Sequence, residues 1–170
     1  MSAEGVLFAT DSEMPREMSV YLERSQSSDP KVRAVAALKI VIAGRGTRHR
    51  GAMAAGHDRL HALLADPDSD VYRAAASALG ELGDADALDE ILPLLENEPG
   101  DEMSPVAAAV TFLALDRPTT DKQRALDALR RFGGRGSAAA EQVDQLAWRL
   151  GAGKPRGYPR VIRLWRGPGA

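Results

Sequence analysis

The sequence predicts an all-α fold, an α-solenoid of about four stacked helical hairpins, and three observations support this prediction. Aromatic residues make up only 5% of the 170 residues, and chains rich in alanine and leucine favour closely packed helices over sheets. One helical pattern occurs three times, with offsets of 39 and 33 residues, a period typical of stacked helical repeats. A second apolar segment precedes each copy, so each unit is predicted to be a helix A, a tight turn and a helix B.

The clearest helix B lies in the stretch LLADPDSDVYRAAASALGELGD, residues 63–84. Asp68 is predicted to cap this helix by accepting hydrogen bonds from unpaired N–H groups, and Asp70 lies in the first turn, where the helix dipole favours negative charge. Gly83 is expected to end the helix. Between them, one apolar stripe is formed by Val71, Ala75, Ala78, Leu79 and Leu82.

The alternating aspartates Asp66, Asp68 and Asp70 also raise the possibility of a calcium loop. Such a loop needs a glycine at its sixth position and a bidentate glutamate at its twelfth. Counted from Asp66, these positions hold Val71 and Ser77. The aspartates are therefore interpreted as a helix start.

The other copies are less regular. The first begins at Asp29, with Pro30 in the favoured first helical position, and its apolar stripe contains Val32, Ala36, Ala37 and Ile40. The third, weaker copy is DEMSPVAAAVTFLAL, in which the corresponding residues are Asp101, Ala108, Ala109 and Phe112.

The predicted solenoid domain covers residues 1–150 and is followed by a basic, Gly/Pro-rich segment, residues 151–170. We expect residues 6–8 to cover the outer side of the first helix B, because a solenoid needs capped ends. The basic segment, with Trp165 as an anchor, is expected to fold back on the acidic part of the chain. The four hairpins are expected at residues 12–43, 52–83, 86–116 and 119–150.

These motifs resemble the HEAT repeat, especially the short bacterial form found in phycobilisome lyase-like proteins. The resemblance covers about 140 residues and rests most on the turn Asp-Pro-Asp and the ending Leu-Gly-Asp around the helix B of residues 63–84. In the family, an arginine on helix B contributes to a polar ladder between repeats. Arg33 holds that position, Tyr72 replaces it in the second repeat with Arg73 one place later, and the third repeat has no arginine. Whether a continuous ladder forms is left open.

The resemblance implies a non-catalytic scaffold that binds an unknown protein partner on a concave face lined by B helices. It implies no cofactor, and an enzyme subunit of lyase-like type is an alternative. The positions expected to contact the partner are Arg33, Ala37, Tyr72, Arg73, Ser77 and Glu81.

The charge distribution suggests nucleic-acid association as a second alternative. Residues 63–122 carry 14 acidic and 3 basic side chains, whereas residues 151–170 carry 5 basic and no acidic ones. The loop GRGTRHRG, residues 44–51, is also basic, but it matches no phosphate-binding motif. Attraction to phosphates alone is indicated, through the candidates Arg45, Arg48, Arg50, Arg160, Arg163 and Arg166.

The stretch HDRLH, residues 57–61, is the strongest enzymatic signal. His57 and His61 are four residues apart and share a helix face, as two zinc ligands do, and Asp58 replaces the glutamate of the motif H-E-x-x-H. The sequence places no third ligand beside them, although His49 is near in the chain. We therefore expect no bound metal, with His57 and His61 as weak candidates only.

Two further classes are disfavoured by the sequence. The chain has no cysteine, which excludes disulfides and thiolate chemistry. The first residues lack the positive start and apolar middle of a signal peptide, and no apolar run reaches the ~18 residues of a membrane span. A cytoplasmic protein is expected, of unspecified oligomeric state.

Overall fold

A computed structural model of the protein describes residues 14–46 and 49–151, and all regular secondary structure within these ranges is helical. This confirms the predicted all-α class. No helix among the described residues combines the length and apolar character needed to cross a membrane. The helices are α1 (Arg16–Arg24), α2 (Pro30–Gly46), α3 (Arg50–Leu63), α4 (Ser69–Leu82), α5 (Leu88–Ile91), α6 (Pro105–Ala114), α7 (Thr119–Gly133) and α8 (Ser137–Arg149), with 3-10 turns at Ala85–Ala87 and Leu92–Asn97.

The helices pair into successive hairpins that stack in two layers. Helices α2, α4 and α6 pack side by side, with α8 next to α6, and we call these the B layer. The A layer contains α1, α3, the broken segment of residues 85–97, and α7. The core between the layers is rich in alanine and leucine, and one continuous cluster of buried side chains extends from Met18 to Leu150.

The second hairpin confirms the predicted helix signals. Asp68 caps α4 by accepting a hydrogen bond from the N–H of Asp70 at 3.0 Å. Gly83 ends the helix in the left-handed conformation with φ of 68°, a region that a side chain disfavours. In the first hairpin, Asp29 accepts from the N–H of Lys31 at 2.9 Å and α2 begins at Pro30.

The third hairpin differs from the expected register. The cap of α6 is Ser104, whose hydroxyl accepts from the N–H of Ala107 at 3.1 Å, and not Asp101. Phe112, expected to take the place of Leu79, is 49% exposed, whereas Ala114, 35 residues after Leu79, is fully buried. The physical reason is a longer turn before α6: buried Glu98 lies in this turn and accepts a hydrogen bond from the hydroxyl of Ser104, the cap residue, at 2.5 Å.

Small residues let adjacent B helices approach closely. A Cβ atom added to Gly80 on α4 would lie 3.0 Å from the Cα atom of Ala109 on α6, which is inside normal contact distance. At this point the backbones of α4 and α6 therefore pack in direct contact, in addition to the buried side chains between the helices.

The basic segment 151–170 lies outside the described residues apart from Gly151, and so do residues 6–8, expected to cap α2. On α2, Val35 and Ile42 are 55% and 58% exposed among the described residues.

Candidate functional site

The B layer packs on the A layer with one face, and we call its other face the open face. A shallow groove lies on this open face, and we call it the B groove. Its volume is about 350 Å³. Leu38 of α2 and Met103, just before α6, expose 43% and 67% of their surface, and the rim carries the carboxylates of Asp70 and Glu102. The other lining residues are Arg73, Ala74, Ser77 and Pro105.

The open face continues beyond the B groove along the helices. Phe112 is 49% exposed and lies two turns after Pro105 on the same side of α6. Glu81 lies one turn after Ser77 on α4 and is also exposed. The B layer thus presents apolar side chains separated by acidic ones.

A polar ladder joins consecutive hairpins, and its first rung connects Arg33 on α2 to Asp66 in the next turn. The Arg33 guanidinium donates to both carboxylate oxygens of Asp66, from Nε at 2.7 Å and from Nη2 at 2.8 Å. The hydrogen bond from Arg33 lowers the pKa of Asp66 below its usual value, despite the opposing effect of burial. Asp66 also accepts from the N–H of Asp68 at 3.0 Å, so the rung is fixed to the start of α4.

The second rung centres on the buried carboxylate of Glu98. Its Oε1 accepts from Arg73 Nε at 2.9 Å and from the Tyr72 hydroxyl at 3.0 Å, and its Oε2 accepts from the Ser104 hydroxyl at 2.5 Å. Burial, followed by the hydrogen bond to Glu98, raises the pKa of Tyr72. Arg73 one place after Tyr72 therefore maintains the ladder, with the Tyr72 hydroxyl as a second donor.

The third rung uses no arginine on its helix B. The buried side chain of Gln142 on α8 accepts from the N–H of Ser104 and donates to the carbonyl of Ser104, both at 2.7 Å. The ladder is thus continuous through the described hairpins, although its chemistry changes from ion pairs to an amide.

The structure divides the six positions expected to contact a partner into three pairs. Ala37 and Tyr72 are buried in the core, and Arg33 and Arg73 hold the ladder with side chains only 16% and 18% exposed. Ser77 lines the B groove, and Glu81 is exposed beside it. Sequence reasoning missed Leu38 and Phe112, because an exposed apolar side chain at a helical position is indistinguishable in sequence from a core one. It also missed Met103, which lies in the turn before α6, outside the helical pattern.

The basic candidates are spread over several environments. Arg45 pairs with Glu81 across α2 and α4 at 3.1 Å, and both side chains are more than half exposed. Arg50 is exposed at the first residue of α3. The remaining basic candidates lie outside the described residues: Arg48, Arg160, Arg163 and Arg166.

The two histidines of HDRLH lie together with a third residue, Asp84, which the sequence reasoning missed. Asp84 Oδ2 is 2.5 Å from His57 Nε2 and 2.7 Å from His61 Nε2. The opposite nitrogen of His61, Nδ1, is 2.9 Å from a carboxylate oxygen of Glu90 on α5. Burial opposes protonation of His61, but hydrogen bonds to Asp84 and Glu90 outweigh it and raise its pKa. Among the described residues, His57, His61 and Asp84 form a group that could hold a metal ion.

The other residues near this group have different roles. Asp58 is 84% exposed, and its carboxylate lies 3.6 Å from Nδ1 of His57, on the side opposite Asp84. His49 caps α3, its Nδ1 accepting from the N–H of Ala52 at 2.9 Å. His57 and Asp84 line an open cavity of about 460 Å³, whose apolar walls include Met18, Ile40, Met53 and Leu82.

Comparison with known proteins gives one family match. The family model described as HEAT repeats matches residues 19–111, which is more than half of the chain. No curated protein and no solved structure matches the sequence.

Proposed function

We propose that this chain, which belongs to the HEAT repeat family, is a scaffold that binds a protein partner on the open face of its B layer. HEAT repeats generally mediate protein–protein interaction. The observation that carries the proposal is the B groove, where exposed Leu38 and Met103 lie beside two rim carboxylates.

The composition of the groove indicates the chemistry of the partner. Leu38, Met103 and, further along, Phe112 offer apolar surface whose burial would contribute to binding. Asp70 on the rim favours basic side chains at the edge of a partner segment, whereas Glu102 already pairs with Arg73 at 3.1 Å. A segment with apolar anchors and flanking lysines or arginines therefore fits this surface.

The same charges favour a protein partner over nucleic acid at this face. Carboxylates repel phosphates, and the rim arginine, Arg73, already pairs with Glu98 at 2.9 Å and with Glu102 at 3.1 Å. Arg45 is likewise paired with Glu81. Binding to duplex or single strands would need uncommitted cations along the surface.

The test compares proteins captured from the native cell by three immobilised forms of the full chain. The wild type and an Ala62→Asp control, altered at an exposed position of α3 in the A layer, are expected to retain the same specific set. A Leu38→Asp/Met103→Asp variant is expected to lose that set while keeping the thermal melt of the wild type. Equal capture by all three forms would contradict the proposal. Loss of the specific set by the Ala62→Asp form, with the Leu38→Asp/Met103→Asp form still capturing it, would also contradict it.

A further inference from the structure

We propose that His57, His61 and Asp84 form a binding site for one first-row divalent transition metal ion, with an open coordination position beside the apolar cavity. The three candidate ligand atoms, two imidazole nitrogens and one carboxylate oxygen, lie within 4.8 Å of one another. They come from two elements: the histidines lie one turn apart on α3, and Asp84 follows the left-handed Gly83 that ends α4.

The donor set has the composition of a metal site. Zinc is bound by imidazole nitrogen and carboxylate oxygen at about 2.0–2.2 Å, which places neighbouring tetrahedral ligands roughly 3.3 Å apart. The Nε2 atoms of His57 and His61 are 2.5 and 2.7 Å from Asp84 Oδ2. Each nitrogen–oxygen separation therefore has to widen by less than about 1 Å for the ion to take the place of the proton between the two atoms.

The surroundings orient the ligands as metal-binding residues are oriented elsewhere. A metal-bound histidine usually donates its other N–H to a carboxylate, which fixes the ring and its tautomer. Nδ1 of His61 faces Glu90 at 2.9 Å, and the carboxylate of Asp84 is held by the N–H of Asp86 at 3.1 Å through its other oxygen. Nitrogen and carboxylate ligands of this kind suit zinc, iron, cobalt and nickel better than magnesium or calcium.

Three protein ligands leave coordination positions open. Structural zinc sites usually have four protein ligands, whereas sites with three bind water or a small molecule at the fourth. His57 is 41% exposed, and both it and Asp84 line the 460 Å³ cavity. Met53 and Leu82 in the cavity wall are 50% and 43% exposed, so a ligand of the ion would meet apolar side chains.

The experiment uses the full chain, freed of metal by a chelator, and titrates it with zinc chloride in a calorimeter. One equivalent is expected to bind, with proton release, because the histidines must be neutral to coordinate the ion. Cobalt(II) is a second probe and is expected to give the visible absorption of a tetrahedral site. A His57→Gln/His61→Gln variant and an Asp84→Asn variant should lose both signals.

Two further variants keep the result interpretable. His49→Asn retains a capping acceptor on α3 and is expected to bind zinc like the wild type, and thermal melts of all metal-free forms identify any variant that fails to fold. Glu90→Gln should weaken binding by roughly 10–100-fold, the effect of losing a carboxylate that orients a ligand. The proposal is overturned if the wild type binds no stoichiometric metal, or if the double histidine variant folds and binds as tightly as the wild type.

Discussion

Removing the Arg73 guanidinium should show how strongly the polar ladder stabilises the solenoid. In an Arg73→Met variant, the Glu98 carboxylate keeps the hydroxyl donors of Tyr72 and Ser104 but loses its cationic partner. The side chain of Glu98 is 0% exposed, so water does not solvate its carboxylate in place of the lost guanidinium. Breaking a buried ion pair by removing one partner costs about 3–5 kcal/mol. Because two donors remain, we expect a loss of about 3 kcal/mol in the free energy of unfolding.

A matched control is available in the same molecule. Arg45 on α2 and Glu81 on α4 also pair across consecutive hairpins, but their side chains are 59% and 56% exposed. Exposed pairs contribute about 0–1 kcal/mol, so Arg45→Met should change stability by no more than that. Urea denaturation of both variants, followed by circular dichroism, measures the two losses. Equal losses, or a loss under about 1 kcal/mol for Arg73→Met, would refute the assignment of Glu98 as a buried ladder residue.

Three further predictions concern the helix cap, the pH dependence of stability in acid and the basic segment. Asp68→Ala should cost about 0.5–2 kcal/mol in chemical denaturation, and calcium should leave the melting temperature of the wild type unchanged; a calcium-dependent rise would contradict the helix-start interpretation. Because the pKa of Asp66 is held below its ordinary 3.8 by Arg33, its contribution is present above that pH and is lost as pH falls through the lowered value. Asp66→Asn should therefore give a flatter stability curve below about pH 4, and an unchanged slope would refute the linkage. Deleting residues 155–170 should lower the melting temperature, and binding to random duplex or single strands should be negligible with or without the segment. An unchanged melt together with lost, salt-sensitive binding would favour the nucleic-acid alternative.

The sequence predicted the fold where local signals coincide with burial. Asp68 and Gly83 mark the two ends of α4 through backbone chemistry that the residue types dictate. Helix A of the third hairpin is broken, because Pro93 lies within a 3-10 turn and lacks an N–H for a regular helix. The proline was a signal of this break that the repeat pattern did not take into account. The offset of the third copy was wrong because three alanines in a row fit several registers equally well.

The site residues depend on contacts between hairpins, which periodicity does not specify. Glu98 is a buried glutamate, a rare state unless the side chain is paired. A usable signal was present, because Glu98 precedes Pro99 as Asp66 precedes Pro67, and each acid pairs with an arginine of the preceding helix B. Asp84 carries no comparable signal: its position beside the histidines follows from the packing of α3 against the end of α4.

Site-specific photo-crosslinking in the native cell tests the central claim, that the open face of the B layer binds a protein, most directly. A photoreactive amino acid is introduced one position at a time, at Ser77 and Met103 on the open face and at Ala62 and Gln123 on exposed A-layer helices. The account predicts a discrete crosslinked protein from Ser77 and Met103, and none from Ala62 or Gln123. Adducts from the A-layer positions alone, or equally from all four, would contradict it.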